Sequence, residues 1–148
     1  MKRAIEIDPQ FALAHVYYAG PCLHLGERQT AIAECRLAVS LADGADYATS
    51  MLGYALAETG NAAEAEVVLQ GLKAHARERY VSSFHIALIC AGMGDADESL
   101  LWLKKAIAER DNWLVWLPVF PAFDKVRHDE RFAEIISEVG HSRFPSPS

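Results

Sequence analysis

The side chains best suited to chemistry are scattered along this chain. Its six histidines are His15, His24, His75, His85, His128 and His141, and no two stand three or four residues apart. That step would put two imidazoles on one helical face, and neither a C-x2-C nor an H-E-x-x-H pattern supplies a metal site another way. Cys22 and His24 are two residues apart, which on a helix points them in different directions. The acidic run Gly94-Asp95-Ala96-Asp97-Glu98 lacks the remaining ligands of a calcium loop. It reads as a turn that sets Asp95 or Asp97 near a helix N-terminus, where negative charge is favoured. The basic stretch Lys73, His75, Arg77, Arg79 complements the dipole at a helix end. Neither a glycine-rich phosphate loop nor a G-x-S-x-G elbow occurs. The sequence therefore predicts no metal, no cofactor, no catalytic residue and no enzymatic activity.

Composition narrows the partners. The chain has 148 residues, enough for one continuous core, and is 51% apolar and 23% charged. A formal net charge of −6 opposes general affinity for nucleic acid or anionic lipid. Three cysteines, Cys22, Cys35 and Cys90, form no paired framework and fit a reducing compartment. The N-terminus has no long apolar run, and the apolar stretch Trp113 to Phe123 is too short for a bilayer and carries Pro118 and Pro121. Cytoplasmic residence is the expectation.

What positions the side chains is a repeat. Gly26, Gly60 and Gly94 are 34 residues apart, and Ala19, Gly53 and Ala87 precede them at the same step. Ala31, Ala65 and Ser99 follow them, then Cys35, Leu69 and Leu103, then Ala38, Leu72 and Ala106. Apolar residues recur at three- and four-residue steps between these marks, which predicts helices. The expected helices are Phe11 to Leu25, Arg28 to Leu41, Tyr47 to Thr59, Ala62 to Arg77, Val81 to Met93 and Ala96 to Arg110. The small residues let paired helices approach closely. After Arg110 comes an aromatic segment with Trp113, Trp116, Phe120 and Phe123, then an amphipathic helix from Asp129 to Val139, ended by Gly140. The last eight residues read as unstructured.

A repeat of this length with small residues at these offsets resembles the tetratricopeptide superfamily, over roughly residues 1–110. The segments Tyr80-Val81-Ser82-Ser83, Leu101 to Ala106, Glu109-Arg110, Pro121 to Arg127 and Arg131-Phe132 resemble the C-terminal ends of such arrays in bacterial multidomain regulators. The resemblance implies an all-α solenoid, a right-handed superhelix of three helix-turn-helix units at about 10–43, 44–78 and 79–110. Residues 1–9 would be the end of a partial repeat, 111–140 a connector and capping helix, and 141–148 a disordered tail. The partial repeat implies a fragment of a longer array, or an N-terminal edge completed by something else. Three positions depart from the pattern. Pro21 should kink or break the first helix. Leu72 replaces a small residue, implying looser or shifted packing. Asp43 and Asp111 stand where the repeat often has proline, so those helices are expected to run on.

In such a solenoid the first helix of each unit lines the concave face. By family spacing the inward residues are Leu13, Val16, Gly20 and His24, then Tyr47, Ser50, Tyr54 and Glu58, then Val81, Phe84 and Leu88. These positions lack the lysines and asparagines with which chaperone-binding members clamp a carboxylate. Tyr47, Tyr54 and Phe84 imply an aromatic groove for a peptide or helix, or else rings that pack on each other or on the cap. The expected function is a protein-interaction module in a larger bacterial regulator or scaffold, binding a protein or peptide. Two alternatives remain. One is a homodimer through an edge made by Ile5, Phe11, Tyr17 and Tyr18. The other is a sensor groove for a small ligand that controls an attached domain.

Overall fold

A computed structural model of the chain describes residue 8 and residues 10–143. Within these residues it is all-helical, with seven α-helices, two short 3-10 segments and no strand. The helices are α1 (Ala12–His24), α2 (Arg28–Leu41), α3 (Asp46–Glu58), α4 (Ala62–Glu78), α5 (Ser83–Gly92), α6 (Ala96–Ala108) and α7 (Glu130–Arg143). Between α6 and α7 lie the 3-10 segments Asn112–Trp116 and Pro121–Phe123. The partial repeat expected at residues 1–9 falls almost wholly outside the described residues.

The repeat glycines make the turns. Gly26, Gly60 and Gly94 have φ of 78°, 84° and 78°, a left-handed backbone that glycine adopts without penalty. Each turn closes with the same hydrogen bond. The N–H of Glu27, Asn61 and Asp95 donates to the carbonyl of Cys22, Leu56 and Cys90, at 2.8, 2.9 and 3.0 Å. These pairs step through the chain by the same 34 residues as the glycines. The helices expected to run on past Asp43 and Asp111 instead stop at Leu41 and Ala108. Asp43 and Arg110 take left-handed φ of 50° and 55°. The N–H of Gly44 and of Asp111 then closes each turn on Val39 and Ala106. Aspartate tolerates this conformation at Asp43, whereas Arg110 adopts it against its preference; both turns end their helices without proline.

The hairpins pair α1 with α2, α3 with α4 and α5 with α6, and α3 also packs against both α1 and α5. Close approach depends on small side chains. Ala19, Ala31, Ala65, Ala87 and Ser99 are fully buried, and the Ser99 hydroxyl donates to the Ala87 carbonyl at 3.0 Å. A Cβ on Gly53 would stand 2.7 Å from Ile89 Cδ1 and 3.0 Å from Val68 Cγ1, so a larger residue there must push these side chains aside. Leu72 is buried in a second apolar cluster with Leu69, Val81, Ile86, Ile89 and Cys90.

Two further expectations change. Helix α1 continues through Pro21, and the Pro21 carbonyl still accepts the Leu25 N–H at 3.0 Å. Pro21 has no N–H for the Tyr17 carbonyl, so its cost falls on the turn before it, and the helix still runs on to His24. Helix α7 runs past Gly140 to Arg143. Gly140 is not among the glycines with positive φ, so it costs the helix stability without ending it. Of the tail expected to be disordered, the segment 144–148 lies outside the described residues.

Helix α7 packs on α6, and its apolar face (Phe132, Ile135, Val139) is buried in the main core. The expected acidic and basic runs act as caps and pairs. Asp95 accepts the Glu98 N–H at 3.1 Å, and Arg131 bonds Asp97 at 2.7 Å. Lys73 pairs with Glu98, and Arg79 grips Asp46 through both guanidinium nitrogens at 2.7 and 2.9 Å. That grip holds the Asp46 carboxyl below its usual range.

A candidate binding groove

The inward positions of the three hairpins meet at one groove of about 790 Å³. From α1, Leu13, Val16, Gly20 and His24 line it. Tyr47, Ser50, Tyr54 and Glu58 line it from α3, and Phe84 and Leu88 from α5. Val81, expected to face inward with them, is buried in the second apolar cluster instead. It precedes the first turn of α5, so its direction is set by the loop and not by the helix.

A second inward column escaped the sequence reading. Tyr17, Met51 and His85 share the 34-residue step, and all three line the groove. The step itself was the signal. Residues beside a predicted inward position share its face when the stripe is wider than one side chain.

The C-terminal segment supplies the far wall. Trp113, Phe120, Pro121, Asp124 and Lys125 line the groove from the 3-10 segments and the loop after them. Phe120 meets Tyr54 and Phe84 edge-on, at ring-centroid distances of 6.5 and 6.4 Å, and Phe123 meets Phe84 at 5.4 Å. Lys125 bonds the Gly92 carbonyl at 2.8 Å and pairs with Glu58 at 3.0 Å. Gly92 also allows a close approach, because a Cβ on it would stand 2.7 Å from the Tyr54 ring. The tail thus caps α6 with α7 while its connector crosses the inward face.

This changes the part played by two expected groove aromatics. Phe84 is 1% exposed, and Tyr54 is also buried, beneath the connector. Burial pushes the Tyr54 phenol above its usual range, with Glu58 and Asp124 adding to the effect. The two rings form the groove floor and the core together. The partly open faces belong to Leu13, Tyr17, Leu23, Tyr47 and Phe120.

His85 is the perturbed histidine of the groove. Its ring lies 4.9 Å from the Trp113 ring and 6.3 Å from Phe84. Burial lowers its pKa to about 4, although the Asp111 and Asp46 carboxylates pull the other way. Asp111 anchors the connector to α5. It accepts from the Ser82 hydroxyl at 2.5 Å, the Phe84 N–H at 3.3 Å and the Trp113 N–H at 3.0 Å.

The expected dimer edge is described only in part. Ile5 lies outside the described residues, and Phe11 is 48% exposed. Tyr17 lines the groove, whereas Tyr18 packs on the main core beside Cys22. The three cysteines are buried and free, and burial pushes the Cys35 and Cys90 thiols up to about 12, which leaves them poor nucleophiles. No group of three or more metal-ligating side chains is found among the described residues, and no helix among them is long and apolar enough to cross a membrane. Set against known proteins, the chain matches no family model, no curated protein and no solved structure.

Proposed function

We propose that this chain is a tetratricopeptide-type solenoid of three helical hairpins that holds a partner in the groove between its inward helices and its own connector. The observation that supports this most is convergence. Residues chosen by one repeat step from three separate helices border a single mainly apolar groove, with polar atoms at few places. The partner proposed is a short peptide or protein segment anchored by one or two apolar side chains. A long helix fits the reading less well, because Phe120 and Lys125 close the groove over α3 and α5. The same closure favours a second reading, a sensor groove for a small ligand. In either case the module would serve a larger cytoplasmic regulator or scaffold, as the family resemblance suggests.

Site-specific photo-crosslinking tests the site. A benzophenone side chain at Tyr47 sits in the groove, and one at Leu101 sits on the exposed outer surface of α6. In native cells, irradiation should give a discrete adduct from position 47 and none from 101. Adducts from 101 alone, or equally from both, would move the site to the outer face.

A further inference from the structure

One atom in the groove wall has no partner of its own. His85 is 6% exposed, and its Nδ1 is the one buried side-chain nitrogen or oxygen without a hydrogen bond among the described residues. The buried hydroxyls around it are satisfied: Ser82 donates to Asp111, Ser83 to Glu109 and Ser99 to the Ala87 carbonyl. A buried polar atom left alone lowers stability, so a protein that keeps one calls for a reason. A ligand that completes the bond is one.

The surroundings define that ligand. The lining includes the rings of Tyr17, Tyr47, Trp113 and Phe120, which suit an apolar body. The carboxylate and ammonium groups in the lining are Glu58, Asp124 and Lys125; Lys125 already bridges Glu58 and the Gly92 carbonyl, and Asp124 pairs with Arg127 at 3.1 Å. A charged ligand would therefore lose its hydration without gaining a dedicated counter-ion. The imidazole is held neutral at physiological pH by burial, so it can exchange a hydrogen bond with an uncharged group. The volume lies in the range of sites for single small molecules.

We propose that the groove binds a compact, uncharged small molecule, a ring-sized apolar body carrying one hydroxyl or amide that hydrogen-bonds His85. The proposal rests on the groove being the binding site and takes the second reading above, a groove for a small ligand, whose chemistry it defines. Nδ1 is buried and the Trp113 ring packs 4.9 Å from the His85 ring, so the proposal requires that indole to move aside when the ligand binds. That ring belongs to a short 3-10 segment and is only partly buried.

Three probes of one shape test it: 2-naphthol, 2-methylnaphthalene and 2-naphthoate. The first can donate or accept a hydrogen bond, the second can do neither, and the third is an anion. Calorimetry on the whole chain should show 2-naphthol binding on the order of tenfold tighter than the other two. Imidazole ¹⁵N spectra of the unmodified protein should show the His85 nitrogen signals shifting with 2-naphthol. His85→Phe keeps an aromatic ring and should abolish the preference while still binding 2-methylnaphthalene. If that variant does not fold, the ¹⁵N shift in the unmodified protein decides. Equal affinities for 2-naphthol and 2-methylnaphthalene, an unmoved His85 signal, or a preference that survives His85→Phe would overturn the proposal. If none of the probes binds, the proposal also fails, and the crosslink at Tyr47 then decides separately whether the groove is a site for a larger partner.

Discussion

The first and third hairpins present the same repeat positions to the groove and bury them very differently. Tyr17 and His85 occupy one position two repeats apart, yet Tyr17 is 40% exposed and His85 is 6% exposed. Helix α5 buries every residue from Ser83 to Gly92, whereas α1 leaves Tyr17, Pro21 and His24 open. On the groove side the connector is the cause; α3, α4 and α6 bury the rest of α5. The connector lays Trp113, Phe120 and Phe123 over α5, and the described residues include no counterpart over α1. The repeat decides which side chains point inward, and a segment outside the repeat decides which of them become core.

The contrast breaks most visibly at Phe84. Phe84→Ala should cost about 3–5 kcal/mol in urea unfolding, as removal of a fully buried ring does. Tyr17→Ala, across the groove, should stay within about 0.5 kcal/mol of the parent. Equal costs would mean that the connector does not cover α5 in solution.

Next in size is a pH effect from the covered end. The folded pKa of His85, about 4, lies below its unfolded value of 6.5. Between those values the unfolded chain binds more protons, so stability falls as pH drops, by up to about 1.4 kcal/mol per pH unit. Asp111 and Asp46, the carboxylates that face His85, soften this loss. The carboxylates held low by partners, Asp46, Glu98 and Asp129, lose their contribution only below their ordinary values of 3.8, 4.5 and 3.8. Denaturant titrations between pH 6.5 and 5 therefore isolate histidine, and His85→Phe should flatten the slope there.

Two glycines sharpen the comparison. Gly53→Leu should destabilise by roughly 1–3 kcal/mol, because Ile89 and Val68 already fill the space. Gly20→Ala, on the open α1 face with no atom within 4 Å of its Cβ position, should stabilise by about 0.5–1 kcal/mol. Thermal melts of the two variants should move in opposite directions.

The smallest expected effect is at Lys125, the strap that ties the connector to Glu58 of α3 and Gly92 of α5. Lys125→Met removes the bridge to Glu58 and the bond to Gly92, at a cost of about 0.2–1 kcal/mol for so exposed a pair. Hydrogen exchange should rise in the 113–124 segment and stay unchanged in α1. A uniform rise would show that the strap stabilises the whole fold instead of the connector alone.

These differences mark where the sequence was legible. The turns were, because Gly26, Gly60 and Gly94 combine one step with the one residue type that accepts their φ without strain. The inward helical positions were, because a fixed step copies a side-chain direction from unit to unit. Val81 escaped that logic, since it lies just before its helix. The stops at Asp43 and Asp111 were not legible, because left-handed turns at Asp43 and Arg110 need no glycine or proline. The connector was recognised as aromatic but not placed. An aperiodic segment carries no register, and only packing sends Phe120 to Tyr54 and Phe84. His85 as a lone unpartnered atom follows from that placement and from nothing local.

The most direct test of the central claim maps ligand-induced shifts in backbone ¹H–¹⁵N spectra of the whole chain during a 2-naphthol titration. The account predicts perturbations gathered at Tyr17, Tyr47, Met51, Tyr54, His85 and Trp113, with the outer surfaces of α4 and α6 quiet. Perturbations centred on Val67, Leu101 or α7, with the groove residues unmoved, would contradict it.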